Sequence, residues 1–228
     1  MIRTVTFDAA NTLIRLISPP TQTYAQVAQR FGAVLDPARL NQAYVRAWKE
    51  MPRPADQIGP RPDDGRSWWR ELVAKTLSLA QYRVDPFPDY FDAVYEEFTR
   101  PGIWELTPGV SQVLSALHRA ALRLGVLSNF DRRLYSILQN LGIVNQFEHI
   151  IISSEVGADK PSPRIFEEIL RRFQISPEEA LHVGDEEATD GVGARSVGIS
   201  AFVLGKDGDW KDFFRKLRLL AESGSDLS

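Results

Sequence analysis

Five short runs rich in apolar and β-branched residues recur along the chain: Ile2 to Phe7, Leu122 to Ser128, His149 to Ser153, Ala180 to Val183 and Ser200 to Leu204. Helical stripes alternate with them. Val110, Val113, Leu114 and Leu117 fall at the i, i+3, i+4, i+7 spacing of one helix face, and Ile165, Phe166, Ile169, Leu170 and Phe173 mark another. This alternation predicts βαβ units, hence an α/β fold with a Rossmann-like parallel sheet flanked by helices. Right-handed crossovers bring the C-terminal ends of all strands to one edge of such a sheet, where small ligands bind.

Residues 17–100 break the alternation. Tyr24, Val27, Ala28 and Phe31 form one helical stripe, and Leu40, Ala43, Tyr44, Ala47 and Trp48 a second. A loop from Pro52 to Gly65 with four prolines follows. Trp68, Trp69, Leu72 and Val73 open a third helix; Phe91, Val94, Tyr95 and Phe98 mark a fourth. The expected organisation is a core domain of residues 1–16 and 101–228 carrying a helical cap domain of residues 17–100 over the carboxyl edge. The 228 residues suffice for both, and Ser223 to Ser228 reads as a frayed tail.

With 43% hydrophobic and 25% charged residues, the chain has the balance of a soluble globular protein. A net charge of -3 argues against a broad nucleic-acid surface; the basic groups at Arg171-Arg172 and Lys211 to Arg218 read as solvated helix faces. The absence of cysteine excludes disulfides, thiolate metal sites and a cysteine nucleophile. No apolar run approaches the roughly 18 residues of a membrane span. Met1-Ile2-Arg3-Thr4 enters the first strand without a signal-peptide pattern, so the expected location is cytoplasmic and no membrane partner is expected.

Asp8 follows the first strand directly, so its carboxylate emerges where strand gives way to loop. Three later segments end or follow other strands: Gly125-Val126-Leu127-Ser128-Asn129, Asp159-Lys160-Pro161, and His182-Val183-Gly184-Asp185 with Asp190 five residues on. In this order they resemble the four motifs of the haloacid dehalogenase-like superfamily. Within it, Trp104, Leu106, Pro108-Gly109, Ser128 to Leu134, Lys160-Pro161 and Pro163 to Phe166 are similar to the subgroup of haloacid dehalogenase-like hydrolase domain-containing protein 3.

The resemblance implies a hydrolase whose nucleophile is Asp8, forming an aspartyl-enzyme intermediate, with a small phosphorylated molecule as substrate. It implies Mg²⁺ held by Asp8, the backbone carbonyl of Ala10 and Asp185, with Asp190 as a further ligand or just behind the ligands. Ser128 and Asn129 would hold phosphoryl oxygens, Lys160 would neutralise charge, and Thr12 would buttress the nucleophile loop. One element is missing: phosphatases of the superfamily carry a second Asp two residues after the nucleophile as general acid/base, and here that position is Ala10. Its loss hurts an alkoxide leaving group far more than an acyl or aryl phosphate. Glu186 and Glu187 are the nearby carboxylates in sequence that would substitute.

Two rival readings follow from Ala10. A 2-haloacid dehalogenase needs no proton for halide and no metal, although such enzymes lack the Gly-Asp present here as Gly184-Asp185. The other is a catalytically silent binding protein. His118, His149 and His182 share no metal-ligand spacing and read as structural. Trp48, Trp68 and Trp69 read as packing between cap helices, with a pocket wall as the alternative.

Overall fold

The strands are β1 (Thr4–Phe7), β2 (Ile14–Leu16), β3 (Trp104–Leu106), β4 (Arg123–Ser128), β5 (His149–Ile152), β6 (Ala180–Gly184) and β7 (Ser200–Val203). The helices are α1 (Pro20–Gln29), α2 (Pro37–Glu50), α3 (Arg66–Leu79), α4 (Phe87–Glu97), α5 (Val110–Arg119), α6 (Arg133–Asn140), α7 (Ser153–Val156), α8 (Pro163–Phe173), α9 (Val192–Ser196) and α10 (Trp210–Ser223). This computed structural model describes residues 1–205 and 210–223; of the tail expected from Ser223 to Ser228, Ser223 closes α10 and residues 224–228 lie outside the described residues.

β1 is buried along its whole length, which its run Thr-Val-Thr-Phe suits, and it occupies the middle of a five-stranded sheet of order β5-β4-β1-β6-β7. Every pairing in that sheet is parallel. The five expected strands are all present, with ends shifted by one or two residues; Ser153, for example, opens α7 instead of closing β5. The sheet has an apolar layer on each face. Val5, Phe7, Val113, Leu117, Leu134 and Phe213 belong to one buried cluster, and Leu127, Ile165, Phe166, Ile169 and Ala194 to the other. This is the helix–sheet–helix layering that the alternation implies.

α1 to α4 carry a separate buried cluster in which Tyr24, Val27, Leu40, Val73, Leu77, Tyr90, Phe91 and Val94 meet. Their starts follow local chemistry. Asp36 accepts hydrogen bonds from the backbone N–H of Ala38 (3.0 Å) and Arg39 (3.3 Å) with Pro37 in the first turn, and Asp63 accepts from Ser67 N–H (2.7 Å) before α3.

Two features are not in the sequence reading. β2 and β3 form an antiparallel pair, Ile14 opposite Leu106 and Leu16 opposite Trp104, which closes the neck between the cap helices and the sheet. Three-residue strands this far apart in sequence carry no periodic signal. The second feature is the docking of the proline-rich loop. Gln57 N–H donates to the Gly157 carbonyl (2.8 Å), Arg61 N–H to that of Ser154 (2.7 Å), and Arg132 N–H to the Asp64 carboxylate (2.9 Å). The loop is thereby laid across the carboxyl edge of the sheet.

Candidate active site

The register fixes Asp8. Phe7 is level with Val126 on β4 and Val183 on β6, and Asp8 N–H donates to the Val183 carbonyl (2.8 Å). Its side chain therefore leaves the middle strand at the carboxyl edge, between the ends of β4 and β6. Lys160 Nζ donates to Asp8 Oδ1 (2.5 Å) and to Asp190 Oδ1 (2.6 Å), and Ser128 Oγ donates to Asp8 Oδ1 (3.0 Å). Among the described residues Asp8 Oδ2 accepts no hydrogen bond, which leaves one carboxylate oxygen for chemistry. Burial pushes the Asp8 carboxyl above its ordinary range against the pull of Lys160. The Lys160 ammonium, although buried, is held above its ordinary value by the two carboxylates.

Asp190 is almost fully buried and heavily bonded. Its Oδ1 meets Lys160 Nζ and His182 Nε2 (3.1 Å), while Oδ2 accepts from Glu186 N–H (3.1 Å). Burial would raise its pKa, but His182 and Lys160 together hold it well below the usual carboxylate range. Through Oδ1, Asp190 holds the Lys160 ammonium that also meets Asp8. His182 is fully buried, and its Nδ1 lies 2.9 Å from Thr6 Oγ1. Burial lowers its pKa against the pull of Asp190, and its two ring nitrogens link Thr6 to Asp190. Among the three histidines it alone reaches the site: His149 packs edge-on against Phe173 and His118 is exposed on α5.

Asp185 follows β6 directly and opens into the same cleft as Asp8. Its carboxyl faces the cavity, yet the walls and the charges of Asp8 and Asp190 push its pKa up to about 6. It accepts no hydrogen bond from another described residue. Ala10 also lines the cleft, and its carbonyl takes no backbone hydrogen bond among the described residues.

These groups fit a divalent cation: two carboxylates and a backbone carbonyl from residues lining one cavity, an excess of negative charge, and room for water and phosphate oxygens. Among the described residues no three Asp, Glu or His side chains converge into a ready-made metal cluster. Such a cation would therefore rest on Asp8, Asp185 and the Ala10 carbonyl.

Asn129 does something else than expected. Its Nδ2 donates to the Lys160 carbonyl (3.0 Å) and its Oδ1 accepts from Lys160 N–H (2.6 Å), so the amide clamps the lysine loop at the cavity wall and keeps its second N–H. Thr12 is fully buried, does not line the cleft, and its hydroxyl has no hydrogen-bond partner among the described residues. Glu186 lines the cleft beside Thr189, whose hydroxyl donates to it (3.2 Å), whereas Glu187 pairs with Arg195 away from it.

The cleft is a cavity of about 680 Å³ beneath the cap, within the range of small-molecule sites. Residues without an assigned role in the sequence reading enter it here. Arg61, from the docked loop, donates to Asp159 Oδ1 (3.1 Å) and Ser153 Oγ (3.3 Å) beside Lys160. Arg133 forms a bidentate pair with Asp131 (2.8 and 2.6 Å) and lies over the rings of Tyr95 and Trp69 at 3.7 and 5.2 Å. The proline content and the Asp-Arg-Arg run were the available signals, but neither says which element meets which.

The model of the haloacid dehalogenase-like hydrolase family matches residues 2–198. Haloacid dehalogenase-like hydrolase domain-containing protein 3 of Mus musculus is 35% identical over 205 residues, covering 89% of this chain and 82% of the mouse protein. Among solved structures, a HAD phosphatase from Thermococcus onnurineus superposes with a TM-score of 0.61 at 22% identity, covering 91% of this chain and 88% of that one. L-2-haloacid dehalogenase from Xanthobacter autotrophicus gives 0.67 at 24% identity, with 90% and 78% covered. No helix among the described residues is long and apolar enough to cross a membrane. A family match across most of the chain, together with curated relatives near one-third identity, shows that the chain belongs to the haloacid dehalogenase-like hydrolases.

Proposed function

We propose that this hydrolase is a Mg²⁺-dependent phosphatase that acts on a small phosphorylated molecule through an aspartyl-phosphate at Asp8. The observation that carries the reading is that Asp8, with Oδ2 accepting no hydrogen bond among the described residues, and Asp185 line one cavity, where partial burial and the charges of Asp8 and Asp190 outweigh the pull of Lys160 and push the Asp185 carboxyl up to about 6. Such a group destabilises an empty cleft and gains when a divalent cation sits against it. Asp8, Asp185 and the Ala10 carbonyl would hold the ion, which when bound supplies charge neutralisation for a phosphoryl group.

The chain's own groups then divide the work. Asp8 Oδ2 attacks phosphorus, and the bond from phosphorus to the leaving oxygen breaks with its electron pair on that oxygen. Lys160 and Ser128 hold Oδ1 so that Oδ2 faces the cleft, and Asp190 and His182 hold Lys160. Water then attacks phosphorus, the bond from phosphorus to Asp8 breaks, and phosphate leaves with the proton passing to solvent. Ala10 offers no proton donor for the first step and no base for the second, so the reading favours leaving groups that depart as weakly basic oxyanions.

The test is phosphate release from an acyl and an aryl phosphate with Mg²⁺, in the intact chain and in Asp8→Asn. Turnover lost in the variant supports the reading. Chloride released from 2-chloropropionate in EDTA, with no phosphate release from any ester, would support the dehalogenase reading that Ala10 also favours; neither product would support the silent binding protein.

A further inference from the structure

The cavity holding Asp8 has a second wall of aromatic rings. Tyr44 and Trp48 come from α2, Trp68 and Trp69 from α3, Trp104 from β3 and Phe130 from the loop after β4, and all six line the same cavity. They are half-buried, so each keeps surface toward the space they enclose. Trp48 and Trp68 meet edge to face at 5.4 Å, Trp68 and Trp69 at 5.0 Å, and Trp104 and Phe130 at 5.9 Å. In edge-to-face contact only one of the two rings turns its face to the other, and Arg53 and Arg133 lie over the Trp48 and Trp69 rings at 5.1 and 5.2 Å, so the wall is aromatic with two guanidinium groups set against it. Burial pushes the Tyr44 phenol up to about 12, so that ring adds no charge to the wall at ordinary pH.

The wall reaches the reacting end. Phe130 is two residues beyond Ser128, whose hydroxyl touches Asp8, and Arg133 joins Trp69 to Asp131 at the start of α6. The residue two after Asp8 is Ala10, so an ester with a basic leaving oxygen would have no proton donor there.

We propose that the substrate is an aryl phosphate: a phosphate ester whose leaving oxygen is carried by a flat aromatic ring that lies against this wall. Resting on the phosphatase reading, the assignment explains two features at once. A phenolate departs without protonation, which suits Ala10, and its ring fills an aromatic cavity that an acyl phosphate of a few atoms would leave largely empty. In the step itself the phosphorus–oxygen bond breaks, the phenolate leaves with the electron pair, and the phosphoryl group passes to Asp8.

The experiment uses phenyl phosphate, acetyl phosphate and 2,2,2-trifluoroethyl phosphate as probes. In Asp8→Asn, titration with phenyl phosphate should quench tryptophan fluorescence saturably, because four of the five tryptophans line the cavity, and inorganic phosphate at the same concentrations should not. In the otherwise unaltered chain, kcat/KM for phenyl phosphate should exceed that for acetyl phosphate by about tenfold or more, the order of one good stacking contact. Trp69→Leu should lower that ratio by about tenfold and Trp69→Phe should restore most of it. Turnover of acetyl or trifluoroethyl phosphate with no preference for phenyl phosphate and no quenching would overturn the aromatic assignment and leave the phosphatase reading intact. Saturable quenching with no turnover of any ester would support the wall and overturn the phosphatase reading instead.

Discussion

Lys160 is the residue on which the site turns, because one buried ammonium bridges two buried carboxylates. Removing one partner of such a group leaves an uncompensated charge, so the roles of the three aspartates are separable by substitution. Asp190→Asn should lower kcat by about two orders of magnitude through misplaced Lys160 while changing Mg²⁺ affinity, read by calorimetry, less than Asp185→Asn does. The reverse ranking in metal affinity would return Asp190 to the ligand role the motif suggested.

Asp185 gives a pH test. Its folded pKa is raised from 3.8 to about 6, so the fold favours the protonated form; the penalty is absent below about pH 4 and fully present above about pH 6. In EDTA, Asp185→Asn should therefore melt higher than the unaltered chain at pH 8, with the difference gone near pH 4. Ala10→Asp should speed alkyl phosphates by about tenfold or more while acyl phosphates change little, provided Mg²⁺ affinity holds. Equal gains for both would sink the missing-acid account. Legibility at this scale was uneven: Asp8, Ser128 and Lys160 are brought together as the motif order implies, but the clamp of Asn129 on the Lys160 backbone and the buried, unpartnered Thr12 hydroxyl are not in the motif. Side-chain spacing in sequence does not say which backbone group an amide will meet.

At the scale of elements, the docked loop of residues 52–65 ties the cap to the sheet edge and delivers Arg61 beside Lys160. Gly157 is its receiving point. With φ at +75° and a would-be Cβ 2.2 Å from the Gly59 carbonyl oxygen, it admits no side chain without moving the loop. Gly157→Ala should cost about 1 kcal/mol or more of stability, speed proteolytic cleavage within 52–65, and raise KM more than it lowers kcat. Unchanged cleavage would mean the loop is held elsewhere. The helices and parallel strands were legible because they repeat at 3.6 and 2 residues over enough length. The β2–β3 pair and the loop's docking were not, since both are made by short segments meeting across the chain.

For the whole molecule, the parallel sheet gathers the ends of β1, β4 and β6 at one point, and the cap closes an aromatic chamber over it. Ligand linkage makes the metal assignment visible in the unfolding of the entire chain: millimolar Mg²⁺ should raise Tm of the unaltered chain and not that of Asp185→Asn. The central claim is that phosphate is passed to Asp8 and then to water. Because Ala10 leaves the second step without a base, the aspartyl-phosphate should accumulate during turnover. The direct measurement is mass spectrometry of the chain quenched in acid after mixing with phenyl phosphate and Mg²⁺ in heavy-oxygen water. The account predicts a hydroxylamine-labile phosphoryl group on the peptide containing Asp8, absent from Asp8→Asn, with the heavy oxygen appearing in released phosphate. Heavy oxygen in the Asp8 carboxylate, or turnover with no phosphoryl group ever on that peptide, would contradict it.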